Sequence, residues 1–329
     1  MKTLAFLVFA AVLVLGTTAW PLSAKFDQFH RYAKEYNKKY DSYAIELYRF
    51  AIYLKNLVEI EELNILDEGT AVYGETMFTD MTKSEMREYL GLVIPKDFKY
   101  NYVQNFTNEH QYKPRTDTPD IWNWEQQGAV TPVKNQGSCG SCWTFSTAGN
   151  VEGLWYLKHK ELINFSMQQL IDCDKSNFGC NGGWPYNAID WLAKNGGMET
   201  LADYPQRANY TGPCQFDEKK AKAQIQGYLN ITHDENVIKD ALYEKGPLSI
   251  LLDFTGLFHY KSGVASPLLC STWPDHALVL VGYGTKQEDY WLIKNSWGPQ
   301  WGINGYLMLK RGAKKCGINL WATTAILKN

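Results

Sequence analysis

The chain has 329 residues, is 45% hydrophobic with 14% aromatics, and carries a formal net charge of −2. That length accommodates two or more compact units with real cores. A near-neutral charge without a polybasic block argues against nucleic acid or an anionic membrane as partner.

Lys2 and the apolar run Leu4 to Leu15 have the form of a signal peptide. Thr17 and Ala19 are small residues where a signal peptidase reads, so the expected cut follows Ala19. The run is too short to cross roughly 30 Å of hydrocarbon, which argues against a membrane anchor. Export implies an oxidising compartment in which cysteines pair. Sequons at Asn105, Asn164, Asn209 and Asn230 are the expected glycosylation acceptors.

From about residue 25 to 92 the chain is charged, poor in glycine and free of cysteine, and reads as helical. Arg49, Tyr53, Asn56, Ile60 and Asn64 recur at steps of three and four, on one helix face. By periodicity alone this is an amphipathic helix on a neighbour. A polar stretch without a period, about 94–117, reads as a linker. Beyond it lie all seven cysteines. Cys142 to Lys160 reads as a helix with the apolar face Phe145, Ala148, Val151, Leu154, Trp155 and Leu157. Glycine-rich turns surround Cys180 to Gly183. "HALVLVGYG", "YWLIKNSWG" and "GYLMLKRG" read as strands of an antiparallel, barrel-like sheet. A helical half is thus followed by a β-rich half.

Seven cysteines leave one over when the others pair. Cys142 is the best candidate for the free one. It would open the long helix, where the dipole and unpaired N–H groups lower a thiol's pKa. A redox C-x-x-C is disfavoured, because Cys139 is needed for pairing and no βαβ setting appears. Zinc would need a further ligand pair at the right spacing. An inert buried cysteine is the bland alternative.

Cys139-Gly-Ser-Cys142-Trp143 resembles the nucleophile signature of the papain and cathepsin family of cysteine proteases. His276 in "DHALVLVGYG" and Asn295 in "KNSWG" follow at about the 130–150-residue interval of that family. Alone, His276 reads as a core histidine and Asn295 as a turn former; their coincidence with the cysteine block favours a site. The resemblance covers nearly all of the chain after the signal peptide. It implies an α+β, papain-like two-domain fold: a helical domain, an antiparallel β-barrel-like domain, and a cleft between them. It implies Cys142 as nucleophile, His276 as its partner, held as imidazolium against the thiolate, and Asn295 orienting the ring. Trp297 would shield that bond, and Gln136 would complete the oxyanion hole with the Cys142 N–H. The resemblance also pairs Cys139 with Cys180, Cys173 with Cys214, and Cys270 with Cys316.

For substrate binding it implies Gly183, Trp184, Pro185, Leu251, Pro274, Ala277 and Trp321. These form an apolar pocket with no acid at its base. Trp321 either floors that pocket or turns away into the β-rich core. The segment "LLCSTWPDHALVLVGYG" around His276 is most similar to the cathepsin F-like branch, and no insertion suggests an occluding loop.

The N-terminal helix resembles the family's inhibitory prosegment. Arg49, Asn56, Ile60 and Asn64 match one of its motifs, with Ile45 in place of Glu and Tyr53 in place of Phe. Gly74, Thr76, Phe78 and Asp80 match a second, with Thr76 where asparagine is expected. The implied organisation is a signal peptide over 1–19, an inhibitory propeptide over 20–117, and a mature peptidase over 118–329. The implied protein is a monomeric, secreted or lysosomal endopeptidase, made as an acid-activated zymogen and needing no cofactor or metal. Its partners would be peptide and protein substrates, its own prosegment, and cystatin-type inhibitors. The alternatives are a catalytically silent papain-like binding or storage protein, which would need a lost catalytic residue, and an inhibitor acting through its prosegment alone.

Overall fold

The computed structural model describes residues 22–95, 115, 117–207, 210–231 and 234–328. The expected signal peptide, most of the expected linker, and the sequons at Asn105 and Asn209 lie outside the described residues.

The N-terminal unit is built on α1 (Leu22–Glu35) and α2 (Tyr43–Leu66). Ser42 caps α2 by accepting the Ile45 N–H. Phe29, Tyr32, Phe50, Tyr53 and Leu54 form a small core between the helices. The face of α2 read from the sequence holds the chain that returns beside it. Asn64 accepts the Tyr73 N–H at 2.9 Å and donates to the Tyr73 carbonyl at 3.0 Å, so its amide mimics a neighbouring strand. Asn56, 3% exposed, donates to the Thr79 and Met81 carbonyls at 2.9 Å each. Arg49 makes a two-pronged pair with Glu85, which also closes the capping box of the short α3 (Lys83–Arg87) with Thr82. These contacts hold Glu85 down near a pKa of about 2, chiefly through the Arg49 hydrogen bond. Between them lies β1 (Val72–Tyr73).

The C-terminal unit has two cores. One is helical: α4 (Cys142–His159), α5 (Met167–Cys173) and α6 (Pro185–Lys194), around Trp143, Phe165, Leu170 and Leu192. The other is a sheet. Its strands are β2 (Trp122–Asn123), β5 (Ile225–Ile231), β6 (Leu248–Leu252), β8 (Val264–Ala265), β9 (His276–Lys286), β10 (Glu288–Lys294), β11 (Tyr306–Lys310) and β12 (Ala322–Leu327). They follow the order β5-β12-β6-β9-β10-β11-β8, with β2 on β9. All pairs are antiparallel except β11 with β8. β3 (Met198–Glu199) and β4 (Ala221–Ala223) form a small separate pair, and α7 (Glu235–Lys245) packs on the sheet. β1 reaches across to pair with β7 (Tyr260–Ser262). Ile60, Leu63, Tyr73, Phe78 and Met86 of the N-terminal unit belong to the same apolar cluster as the sheet's core. The two units therefore share one hydrophobic interior, at about 1.5–3 kcal/mol per large side chain buried.

α4 sits close against β9 because Gly149 has no side chain: a Cβ there would come within 2.6 Å of Val279. Ser146 donates to the Leu278 carbonyl at 2.6 Å, and Asn150 bridges Pro247, Thr324 and Ala325. These contacts fix the start of α4 relative to the start of β9.

Asn56→Ala should strip both carbonyls of their buried donor and cost about 1–3 kcal/mol. Hydrogen exchange should show the loss in residues 72–82, while the sheet of the C-terminal unit keeps its protection.

Candidate active site

Cys142 is the first residue of α4, and His276 is the first of β9. The helix begins there because the chain is tied just before it. Cys139 is bonded to Cys180, and the Gly140 N–H donates to the Cys180 carbonyl. Cys173–Cys214 and Cys270–Cys316 complete three disulfides, the pairs the resemblance implies. Cys142 is the free cysteine.

His276 Nε2 lies 2.8 Å from Asn295 Oδ1. The Ser296 N–H donates to the same oxygen at 2.8 Å, so the amide oxygen, not its nitrogen, faces the ring. Nε2 is therefore the donor, and Nδ1, which has no hydrogen-bond partner among the described residues, is left as an acceptor. Trp297 covers the ring at 4.8 Å between centroids, and Phe254 packs on it edgewise, also at 4.8 Å. Trp297 in turn touches Phe78, Phe258 and Trp301.

Gln136 is positioned by Ser296, whose hydroxyl donates to its Oε1 at 2.5 Å. Its Nε2 donates to the Cys139 and Tyr89 carbonyls, both at 2.9 Å. Tyr89 belongs to the N-terminal unit, which runs over the site as an extended strand. The Gly183 N–H donates to the Gly91 carbonyl at 2.8 Å, the Val93 N–H to the Gly183 carbonyl at 3.0 Å, and the Leu92 N–H to the Asp275 carbonyl at 3.3 Å. The Leu92–Gly183 bridge is parallel. Only glycine fits at 91, because a Cβ would come within 2.0 Å of the Gly140 carbonyl oxygen.

That strand changes the electrostatics. Cys142 and His276 are both wholly buried. Burial pushes the Cys142 thiol up to about 12, although the N–H groups of Ala277, Gly91 and Trp143 favour the thiolate. Burial brings His276 down to about 4, against the Asn295 hydrogen bond, which raises it. The thiolate expected from the helix terminus is therefore suppressed in this form of the chain: desolvation outweighs the dipole. Burial also raises Asp275 to about 7.

Trp184, Leu251, Ala277 and Trp321 pack together around Cys142, with Leu92 and Ile94 set against them. Trp321 meets Trp184 edge-on at 5.7 Å, and its indole N–H donates to the Thr272 carbonyl at 3.3 Å. Pro185 follows Trp184 at the start of α6, and Pro274 is buried two residues before His276. Asn164 is exposed, whereas Asn230 is partly buried in β5. The sequence reading missed Ser296, Tyr89, Gly91 and Phe254. Ser296 lies within "KNSWG", whereas nothing local marks the other three.

Residues 118–326 match a family described as papain family cysteine protease, and residues 29–86 match the cathepsin propeptide inhibitor domain. Cathepsin F of Mus musculus is 39% identical over 91% of this chain, and cathepsin F of Drosophila melanogaster 38% over 93%. The chain spans 64% and 52% of the lengths of those two proteins. Digestive procathepsin L2 proteinase from the Tenebrio molitor larval midgut superposes with a TM-score of 0.81 at 34% identity, covering 92% of this chain and all of that one.

Full-length chain at neutral pH should alkylate at Cys142 about a thousandfold more slowly than an ordinary exposed thiol, since its pKa moves from 9.0 to about 12. Mass spectrometry of iodoacetamide-treated chain, before and after removal of the N-terminal unit, measures this.

Proposed function

The chain belongs to the papain family of cysteine proteases, and we propose that it is the zymogen of a cysteine endopeptidase that cleaves peptide bonds through Cys142. The observation that supports this reading is that the free cysteine at the start of α4 packs against Ala277, the neighbour of the His276 that Asn295 holds, while the Gln136 amide is tied to the Cys139 carbonyl three residues before Cys142. Once the N-terminal strand leaves, water returns to the cleft and the penalty on charge falls. Cys142 then passes its proton to His276 Nδ1, and the thiolate attacks the substrate carbonyl. The Gln136 Nε2–H and the Cys142 N–H receive the oxyanion, a contribution of roughly 3–4 kcal/mol at such sites. The imidazolium gives its proton to the leaving amine. The thioester is then hydrolysed by a water that His276 deprotonates. Asn295 keeps the ring aimed throughout, under the cover of Trp297.

In the intact chain the Tyr89 carbonyl takes the Gln136 donor, and Gly91 to Val93 take the Gly183 backbone that a substrate would use. The N-terminal unit is thus read as the prosegment, with residues 20–117 removed and the peptidase beginning near Thr118. Three disulfides fit passage through the secretory pathway to a lysosome or outside the cell. Protein substrates, and cystatin-type inhibitors in the same cleft, are the partners this reading implies.

Trp184, Leu251, Ala277 and Trp321 form an apolar cluster beside Cys142, which we read as the selectivity pocket with the Trp321 indole filling part of it. Substrates with leucine or valine one residue upstream of the scissile residue should outcompete phenylalanine, since overfilling a packed site costs roughly 1–3 kcal/mol. Trp321→Ala should raise kcat/KM for phenylalanine relative to leucine by roughly tenfold or more. A wild-type library profile that favours phenylalanine or arginine contradicts the pocket assignment.

Acidified full-length chain should shorten by self-cleavage and gain activity on a fluorogenic peptide. The Cys142→Ser chain should keep its disulfides yet show neither. Peptide cleavage by that variant near the wild-type rate contradicts the proposed nucleophile.

A further inference from the structure

His259 is not among the residues of the proposed reaction; it lies 17 residues before His276, on the loop between β6 and β7 where the prosegment docks. Its ring is fully buried, at 0% exposure. The prosegment closes over it with the turn that carries Thr76. The Gly74 N–H donates to the His259 carbonyl at 2.9 Å, and the Thr76 hydroxyl donates to the Phe258 carbonyl at 3.0 Å. With its hydrogen so committed, that hydroxyl oxygen faces His259 Nδ1 at 3.5 Å as an acceptor. This makes Nδ1 the protonated nitrogen and leaves Nε2 bare, and Nε2 has no hydrogen-bond partner among the described residues. Thr76 is the position where the sequence departs from the prosegment motif. An asparagine there would bring a carbonyl acceptor and an N–H donor, whereas the threonine brings one oxygen.

We propose that His259 is a pH sensor for zymogen opening: it fits beneath Thr76 only as the neutral imidazole, so protonating Nε2 expels the prosegment turn. The inference rests on the zymogen reading and adds the group that senses acid. A proton on Nε2 would be a buried charge whose N–H has no acceptor. Among the described residues no opposite charge offsets that cost. The charge that acts on the ring is Lys83 of α3, also a cation. Lys83 pairs with Glu59 of α2. On the loop's own side, Lys261 reaches Tyr36 rather than the ring, and Asp80, beyond the turn, is held by Tyr32, Tyr40 and Lys38.

Burial first, and Lys83 second, bring docked His259 down from 6.5 to about 3. The sign follows from linkage. The released form takes up the proton more readily, so docking weakens as pH falls below 6.5 and goes on weakening towards 3. One such histidine makes opening about 100-fold more favourable at pH ~4.5 than at neutral pH. His276, which burial also holds neutral, adds its own proton in the same direction. Asp275, raised by burial, acts in the opposite one. His259 must therefore be isolated by difference.

The test uses full-length chain carrying Cys142→Ala, so that nothing is cut, with and without His259→Phe, which keeps an aromatic ring but cannot titrate. Amide exchange of Gly74, whose N–H donates to the His259 carbonyl, reports opening between neutral pH and pH ~4.5. The expected result is a rise about 100-fold smaller in the phenylalanine chain. Comparing the rise within each chain cancels any change in baseline docking. Equal rises in the two chains overturn the His259 assignment and leave the zymogen reading standing. No acid-dependent opening in either chain overturns both. If the phenylalanine chain does not fold, NMR titration of the His259 ring in the Cys142→Ala chain decides. A ring neutral well below pH 6.5 while the turn is docked supports the sensor, and one that titrates near 6.5 under a docked turn overturns it.

Discussion

The exclusion of water from the Cys142–His276 pair is the constraint on which the rest of this structure depends. An imidazole in water takes up its proton near pH 6.5; the His276 ring, buried between Trp297 and Phe254, stays neutral down to about 4. A thiol at a helix start gains from the dipole, by about 0.3–1 kcal/mol and up to about 2 in partly buried geometry. Desolvation reaches several pKa units at fully buried groups and so overrides it. The buried Cys142 and His276 are thus both held neutral, and on the proposed reading the prosegment also occupies the positions where substrate would bind. On the proposed reading, inhibition of this kind acts on the charge state of Cys142 as well as on access to it.

This control operates only if the two halves of the cleft are rigidly joined. Ser146 and Asn150 tie α4 to the sheet through buried hydrogen bonds, and Gly149 lets helix and strand come into contact. Asn295 and Ser296 then serve the two halves together. The first orients His276, and the Ser296 hydroxyl orients Gln136. Packing of Phe78 on Trp297 and Phe258 makes the prosegment part of the same interior. Release of the prosegment and exposure of the site's aromatic wall are therefore one event.

Much of this was legible in the sequence because it is written in local patterns. The cysteine signature, the strand runs that begin and end at His276 and Asn295, and the helix from Cys142 each follow from a few adjacent residues. The α2 face was legible as a face, but its partner was not. Arg49, Asn56 and Asn64 bind Glu85, the Thr79 and Met81 carbonyls and Tyr73, and such partners are set by how the chain turns back. The protonation state of Cys142 was not legible at all, since it depends on Gly91 and Leu92, about 50 residues away, lying across it. Trp321 has two readings in the sequence, pocket floor or β-rich core, and only its packing with Trp184, Leu251, Ala277 and Cys142 puts it beside Cys142. His259 gave no sign in the sequence, because its meaning arises from contact with Thr76.

The central claim is that the prosegment keeps the pair neutral, and its most direct test is an NMR titration of the His276 ring in full-length chain and again after the prosegment is removed. The expected result is a ring that stays neutral down to about pH 4 in the full chain. After removal it should be charged at neutral pH and titrate together with the Cys142 thiolate. A ring in the full chain that titrates near its ordinary value of 6.5, with the prosegment still docked, would contradict it.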